Sequence, residues 1–214
     1  MGDKTVCDLD ELALRISRTA EALGRAVLVG IDGPGASGKS TLADLLAERL
    51  LNAQVVHVDD FYRPSAERPP NSDAIAADFD LDRLDAEVLK PAAVGDDARY
   101  QRYDWDEDRL AEWTEIPAGT PLIVEGVHSL HSHLRSAYTF GIFCDAVRGV
   151  RLSRGLERDG EESRSLWVDE WMPAEDRYLA AEQPQRHADL VLSGSGGHAA
   201  DAPAYTVLSR RPSA

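Results

Sequence analysis

Residues 33–41, Gly-Pro-Gly-Ala-Ser-Gly-Lys-Ser-Thr, decide how this 214-residue chain is read. Glycine, four residues, Gly-Lys and then Ser or Thr is a phosphate-binding spacing, with Gly33, Gly38, Lys39 and Ser40 in the fixed places. Upstream, 26–31 (AVLVGI) is an apolar run of strand length. Downstream, 40–51 carries Leu42, Leu45, Leu46 and Leu50 at helical spacing. The loop therefore falls between a buried strand and a helix, the context the motif needs. Its glycines let backbone N–H groups turn inward and approach phosphate oxygens. The helix N-terminus adds partial positive charge at the same place. Gly33, Gly35, Ala36, Ser37, Gly38, Lys39, Ser40 and Thr41 are thus candidate phosphate-site residues. Lys39 is expected to reach the outer phosphates and the Ser40 hydroxyl to ligate a magnesium ion.

The net charge of −15 argues against a protein that tracks nucleic acid by general electrostatics, so a phosphate site here must be built from local groups. Cys7 and Cys144 are far apart and lack metal or redox spacing, and a reduced pair is the simpler reading. The N-terminus is polar, and no apolar run approaches membrane-spanning length. The expectation is one cytoplasmic domain over 1–214, with no nucleic-acid or membrane partner and homo-oligomerisation left open.

Residues 8–23 place Leu9, Leu12, Ala13, Ile16, Ala20 and Leu23 on one helical face, with Asp8 or Asp10 as cap and Gly24 as stop. A second strand over 53–58 runs straight into Asp59-Asp60-Phe61-Tyr62. In an open parallel sheet, ligands sit beyond the carboxyl ends of strands, so these side chains are well placed to act. Residues 63–77 lack periodicity and read as a mobile loop. Helical spacing returns over 78–90, with Pro91 expected to end it. Residues 98–116 read as a projecting β-hairpin whose Tyr103, Asp104 and Trp105 suggest a substrate wall.

Strand 121–127 (PLIVEGV) is closed by Glu125, an acidic residue after an apolar run, as in the magnesium shell of phosphate-loop enzymes. The loop, Asp59 and Glu125 then lie at the ends of three strands that converge on one crevice. His128, His131 and His133 do not share a helical face and have no evident fourth ligand, so they read as a loop entering a short helix rather than a zinc site. After strand 139–144, Arg148, Arg151, Arg154 and Arg158 form a helical stripe. Arg154 and Arg158 are the candidates to grip ATP phosphates, within an arginine-containing lid over about 154–166. Trp167, Trp171 and Tyr178 read as core, with Pro173 kinking or restarting their helix. The last parallel strand is 188–192, residues 192–197 read as a loop near the adenine, and 205–208 is an edge strand. The predicted fold is α/β, a three-layer αβα sandwich of the P-loop NTPase type. It has a mainly parallel five-stranded sheet, with a substrate-side loop and hairpin over about 63–117.

Taken in order, GPGASGKST, VDDFYRP from Val58, FDLDRL from Phe79, YDW from Tyr103, IVEGV from Ile123, RLSRGLERD from Arg151 and ADLVLSG from Ala188 resemble the uridine kinase and phosphoribulokinase group of phosphate-loop kinases. The ordered set spans roughly residues 25–195 and is far more specific than the loop alone. The resemblance implies transfer of the γ-phosphoryl of ATP, with Mg2+, to a small-molecule hydroxyl. Asp59 is then implied as general base, and Lys39 and Arg158 as catalytic cations. Ser40, Glu125 and Asp59 are implied as the metal-organising set. Asp59, Asp60, Tyr62, Arg63, Tyr103, Asp104 and Glu125 are implied on the acceptor side. Among Asp73, Asp78 and Asp80, the one facing the ribose is left open. The family's pyrimidine-recognising His falls here within Asp106-Glu107-Asp108, and one lid arginine is replaced by Gly155. The acidic hairpin suits an amine-bearing or polyhydroxylated acceptor as well as a nucleoside. A sugar, a pantothenate-like alcohol or a specialised metabolite is the alternative acceptor. A nucleotide-dependent switch is the alternative of another class, but neither Asn52 nor Asn71 is followed by Lys, as a guanine-reading element requires.

Overall fold

The computed structural model describes residues 5–51, 53–70, 74–195, 198–199, 202–203 and 205–211. Its centre is a six-stranded sheet in the order β10-β7-β6-β1-β5-β2. These strands are Thr206–Arg210, Leu190–Ser193, Phe140–Asp145, Leu28–Asp32, Leu122–Glu125 and Gln54–His57. The five strands from β7 to β2 are mutually parallel, and β10 adds an antiparallel edge to β7. The sheet therefore has one strand more than the expected five, the sixth being the edge strand read over 205–208.

The middle strands are apolar because both faces of a parallel sheet are covered. All five residues of β1 are buried. Side-chain alternation sends Leu28 into the core with Phe61, Leu84, Val88 and Leu122, while Val29 and Ile31 enter the opposite core with Ile16, Leu42 and Leu46. Each fully buried aliphatic side chain contributes about 1.5–3 kcal/mol by leaving water. The second core is closed by α1 (Leu9–Leu23) and α2 (Lys39–Arg49). Asp8, not Asp10, caps α1 by accepting the N–H groups of Asp10 and Glu11 at 2.9 and 3.0 Å, and Gly24 ends it at φ 60°.

The first core is covered by a helix that starts as α3 (Leu81–Leu84) and finishes as α4 (Lys90–Val94). Pro91 does not end this helix. A π-type turn over Asp85–Leu89 lies between the two segments, with the Lys90 N–H bonded to the Asp85 carbonyl. The wide turn and a place in the first turn of α4 relieve the proline of its missing donor and its clash. The same device recurs at Pro173. A π-type turn over Leu166–Trp171 precedes α6 (Met172–Glu182), which Pro173 opens.

Strands β3 (Ala98–Asp104) and β4 (Arg109–Ile116) form the hairpin. Helix α5 (Arg148–Asp159) carries the arginine stripe, and α7 (Pro184–His187) leads into β7. His198–Ala199 (β8) and Ala202–Pro203 (β9) make a small antiparallel pair. The residues after β5 form successive turns and not the expected short helix. No group of three or more His, Cys, Asp or Glu among the described residues is arranged to hold a metal ion. Both cysteines are buried and free. No described helix is long and apolar enough to cross a membrane.

Candidate active site

The phosphate loop joins β1 to α2, and its backbone explains its glycines. Gly33 and Gly38 take φ of 145° and 100°, values an L side chain rarely adopts. A Cβ on Gly33 would also stand 2.1 Å from the Cys144 carbonyl oxygen. Lys39 opens α2, and its Nζ donates to the Pro34 carbonyl at 3.0 Å, so the side chain folds back across the loop. The Ser37 hydroxyl is fully buried with no hydrogen-bond partner among the described residues. A buried hydroxyl left unpartnered in this loop is a group that a bound phosphate oxygen would satisfy.

At the end of β5, Glu125 is buried and accepts the Ser40 hydroxyl at 3.1 Å and His57 Nδ1 at 2.6 Å. Burial raises the Glu125 pKa, but the His57 bond, the Lys39 and His57 charges and Ser40 outweigh it, and the net shift is downward. The Glu125 bond in turn raises the His57 pKa. An ionised carboxylate beside a hydroxyl is a donor set suited to a hydrated Mg2+ ion.

Asp59 stands two residues past the end of β2 at His57, in a 3-10 turn over Val58–Phe61. Its side chain is open to the cleft even though protein atoms surround it on most sides. That enclosure raises its pKa, as does Glu125, while Lys39 and His57 pull it down. Arg158 adds to this field, since its charge interacts with Asp59 and Glu125. Ser40 and Glu125 are thus bonded to each other, and the charges of Lys39 and Arg158 both reach Asp59 and Glu125.

The other expected residues divide. Asp60 is buried and turns away, its Oδ2 accepting the Tyr100 hydroxyl at 3.0 Å. Burial raises its pKa against that bond. Tyr62 packs on Phe79, Tyr103 and Trp105 with centroids 4.9, 5.6 and 4.7 Å away, forming an aromatic wall. Its hydroxyl donates to Asp78 at 3.3 Å, and Arg63 pairs with Asp80 at 3.1 Å. Asp73 lies outside the described residues. The Asp104 carboxylate accepts the N–H groups of Asp106 and Glu107, both at 3.0 Å, so it shapes the hairpin turn. Asp108 accepts the Tyr103 hydroxyl at 2.7 Å and also the Ser65 N–H and hydroxyl, which hold its pKa down at about 2. The loop over 63–70 is therefore tied to the hairpin. Arg68 completes the tie, lying 4.4 Å over the Tyr62 ring and donating to the Tyr103 hydroxyl at 3.0 Å. Within the acidic turn, Arg68 pairs with Asp108 at 3.5 Å.

Of the arginine stripe, Arg151 is buried against Glu175 at 2.7 Å, and Arg148 pairs with Asp176 at 2.6 Å. Arg158 binds Asp159 at 2.7 Å and leans over Trp167. Arg154 is half-buried, with its charge felt at Tyr205. Gly155 has a physical reason: a Cβ there would stand 2.4 Å from the Trp167 ring. Gly194, in the expected nucleotide-side loop, packs against the phosphate loop, where a Cβ would meet the Ser37 carbonyl at 2.0 Å.

Asp32 and Glu175 contact the phosphate loop and His57 contacts Glu125, and sequence reasoning does not find these three. His57 carried a weak signal, a histidine two residues before Asp59 in an apolar strand. Asp32 is fully buried and accepts from the Gly33 N–H, the Leu130 N–H and the Tyr178 hydroxyl. Burial still pushes its pKa up to about 6. The folded state therefore takes up this proton before the unfolded chain does. Stability contributed by Asp32 is full below about pH 4 and declines as pH rises toward 6. Melting temperatures across pH 4–7 for wild type and Asp32→Asn are expected to show a flatter dependence in the variant.

The phosphoribulokinase/uridine kinase family model matches residues 28–169. The chain belongs to that family. It is accordingly a P-loop kinase, a phosphotransferase. Among curated relatives it is 28% identical over 183 residues to uridine-cytidine kinase B of Dictyostelium discoideum, covering 77% of this chain and 73% of that one. It is 28% identical over 190 residues to uridine kinase of Clostridium novyi, covering 80% and 89%. With phosphoribulokinase of Synechocystis it shares 25% identity over 181 residues, covering 79% and 54%. The fold matches a possible uridine kinase from Bacillus stearothermophilus at a TM-score of 0.61 and 22% identity, covering 85% and 98% of the two chains.

Proposed function

We propose that this kinase transfers the γ-phosphoryl group of ATP, with Mg2+, to an alcohol of a small molecule, most readily the 5′-hydroxyl of a nucleoside such as uridine or cytidine. The observation that carries the reading is the gathering of Lys39, Ser40–Glu125 and Asp59 at neighbouring strand ends, beside a wall of aromatic rings. The loop from Gly33 to Thr41 holds the phosphates through backbone N–H groups and Lys39, with Arg154 and Arg158 facing the outer phosphates. Ser40 and Glu125, with Asp59 adjacent, would hold the metal ion. When bound, Mg2+ supplies neutralisation of the charge between the outer phosphates.

Asp59 takes the proton as the acceptor oxygen forms its bond to the γ-phosphorus and the bond from that phosphorus to the bridging oxygen breaks, leaving ADP. Enclosure makes Asp59 a better proton acceptor than an exposed carboxylate, while the Lys39 and His57 charges pull its pKa back down. Arg158 faces the charge that spreads over the transferring group. Trp105, exposed beside Tyr62 and Tyr103, offers a ring to a planar base, with Arg68 the neighbouring cation. Asp60 and Asp104 shape this wall from behind, through Tyr100 and the hairpin turn.

ADP release measured against a panel of nucleosides, sugars and other alcohols tests the reading. Turnover is expected with uridine or cytidine. Turnover with another alcohol alone would keep the kinase and reject the nucleoside. Tight ATP binding with no release from any acceptor would favour a nucleotide sensor.

A further inference from the structure

Two contacts from outside the phosphate loop converge on Gly35. From α6, Glu175 Oε1 accepts the Gly35 N–H at 2.7 Å, while its Oε2 accepts Arg151 NH1 at 2.7 Å. From the π-type turn before α6, Trp167 lies so close that a Cβ on Gly35 would stand 3.0 Å from its ring. Both contacts lead back to α5. Arg151 is on that helix, and the Trp167 ring fills the notch left by Gly155 while its Nε1 donates to Asp159 at 3.0 Å. Asp159 in turn binds Arg158.

This arrangement is poor value as a source of stability. Arg151 and Glu175 are both buried, and the Arg151 Nε has no hydrogen-bond partner among the described residues. A buried ion pair barely recovers its desolvation cost even when every donor is satisfied, and an apolar pair of similar volume is often as stable. What the ion pair does give is direction: a charged acceptor fixed at one backbone N–H of a loop whose conformation must suit phosphate.

We propose that Glu175 and Trp167 are positioning residues of the phosphate site. With Arg151 they brace Gly35 against α5, so that the phosphate loop and Arg154 and Arg158 take up their geometry as one unit. The inference rests on the reading of residues 33–41 as the ATP phosphate site.

The test uses the full chain with both charges removed, so that no lone charge stays buried. In E175M/R151M, Gly35 loses its acceptor. Hydrogen exchange of the peptide spanning Gly35 is expected to accelerate without any ligand, and the Kd for magnesium-ATP by calorimetry to rise about tenfold, the loss of one charge-assisted hydrogen bond. E175Q/R151M keeps an acceptor for Gly35 and is expected to rescue binding to within about threefold of wild type. A folded E175M/R151M with wild-type exchange and wild-type Kd overturns the proposal. If that variant does not fold, Gly155→Ala decides, because its methyl group drives Trp167 toward Gly35. A weakened magnesium-ATP Kd supports the brace, and an unchanged one rejects it. Failure of wild type to bind magnesium-ATP would instead refute the ATP site, and exchange at Gly35 would still report on the brace.

Discussion

Replacing Asp59 with asparagine is expected to lower kcat by about 10²–10⁴-fold, the range general-base catalysis supplies. The magnesium-ATP Kd should change little, because the loop that grips the phosphates does not depend on Asp59. The pH profile gives a sharper signature. Enclosure and Glu125 hold the Asp59 pKa above the ordinary carboxylate value. Wild-type kcat should therefore fall on acidification at a pH higher than an exposed aspartate would give, as the base becomes protonated. That acidic limb should be missing from the variant. Steady-state kinetics from pH 5 to 8 with the best acceptor of the panel would show it. A kcat near wild type in Asp59→Asn would remove the base from the mechanism, although Glu125 and Ser40 would keep their places.

Lys39→Ala should be at least as damaging, with a loss in kcat of about 10²–10³-fold or more from removing one preorganised charge beside the transferring group. The structure adds a second consequence. Lys39 is buried and spans the loop to the Pro34 carbonyl, and its charge is felt at Asp59, Glu125 and Asp32. The variant should also bind magnesium-ATP more weakly, because three neighbouring carboxylates lose their common cation. Calorimetry beside kcat separates the effects. Loss of turnover with an unchanged Kd would place Lys39 in the transition state alone, whereas a wild-type rate would reject residues 33–41 as the catalytic phosphate site.

Much of the architecture follows from short-range patterns. The run over 26–31 is apolar because both sheet faces are covered, and the leucines of α2 repeat at helical spacing because one face is buried. Glu125 is legible for the same reason, as an ionisable group at the end of a strand with no other tolerance for charge. The prolines were harder to read. Pro91 looks like a terminator, yet a widened turn before it lets the helix continue. The histidine cluster likewise gives no hint that His128 is buried at φ 77°, with desolvation lowering its pKa to about 3 so that the ring stays neutral.

The sequence alone therefore determined the phosphate loop and its flanking elements, because both depend on spacings of a few residues. It also determined that Glu125 stands at a strand end and Asp59 just beyond one. Only the tertiary structure decided the rest. It turned Asp60 toward Tyr100, set Arg68 against the hairpin, and sent Arg151 to Glu175. These outcomes depend on partners 24–40 residues away. A helical stripe of identical arginines carries no mark of which member will meet a buried carboxylate: the neighbouring helix makes that choice.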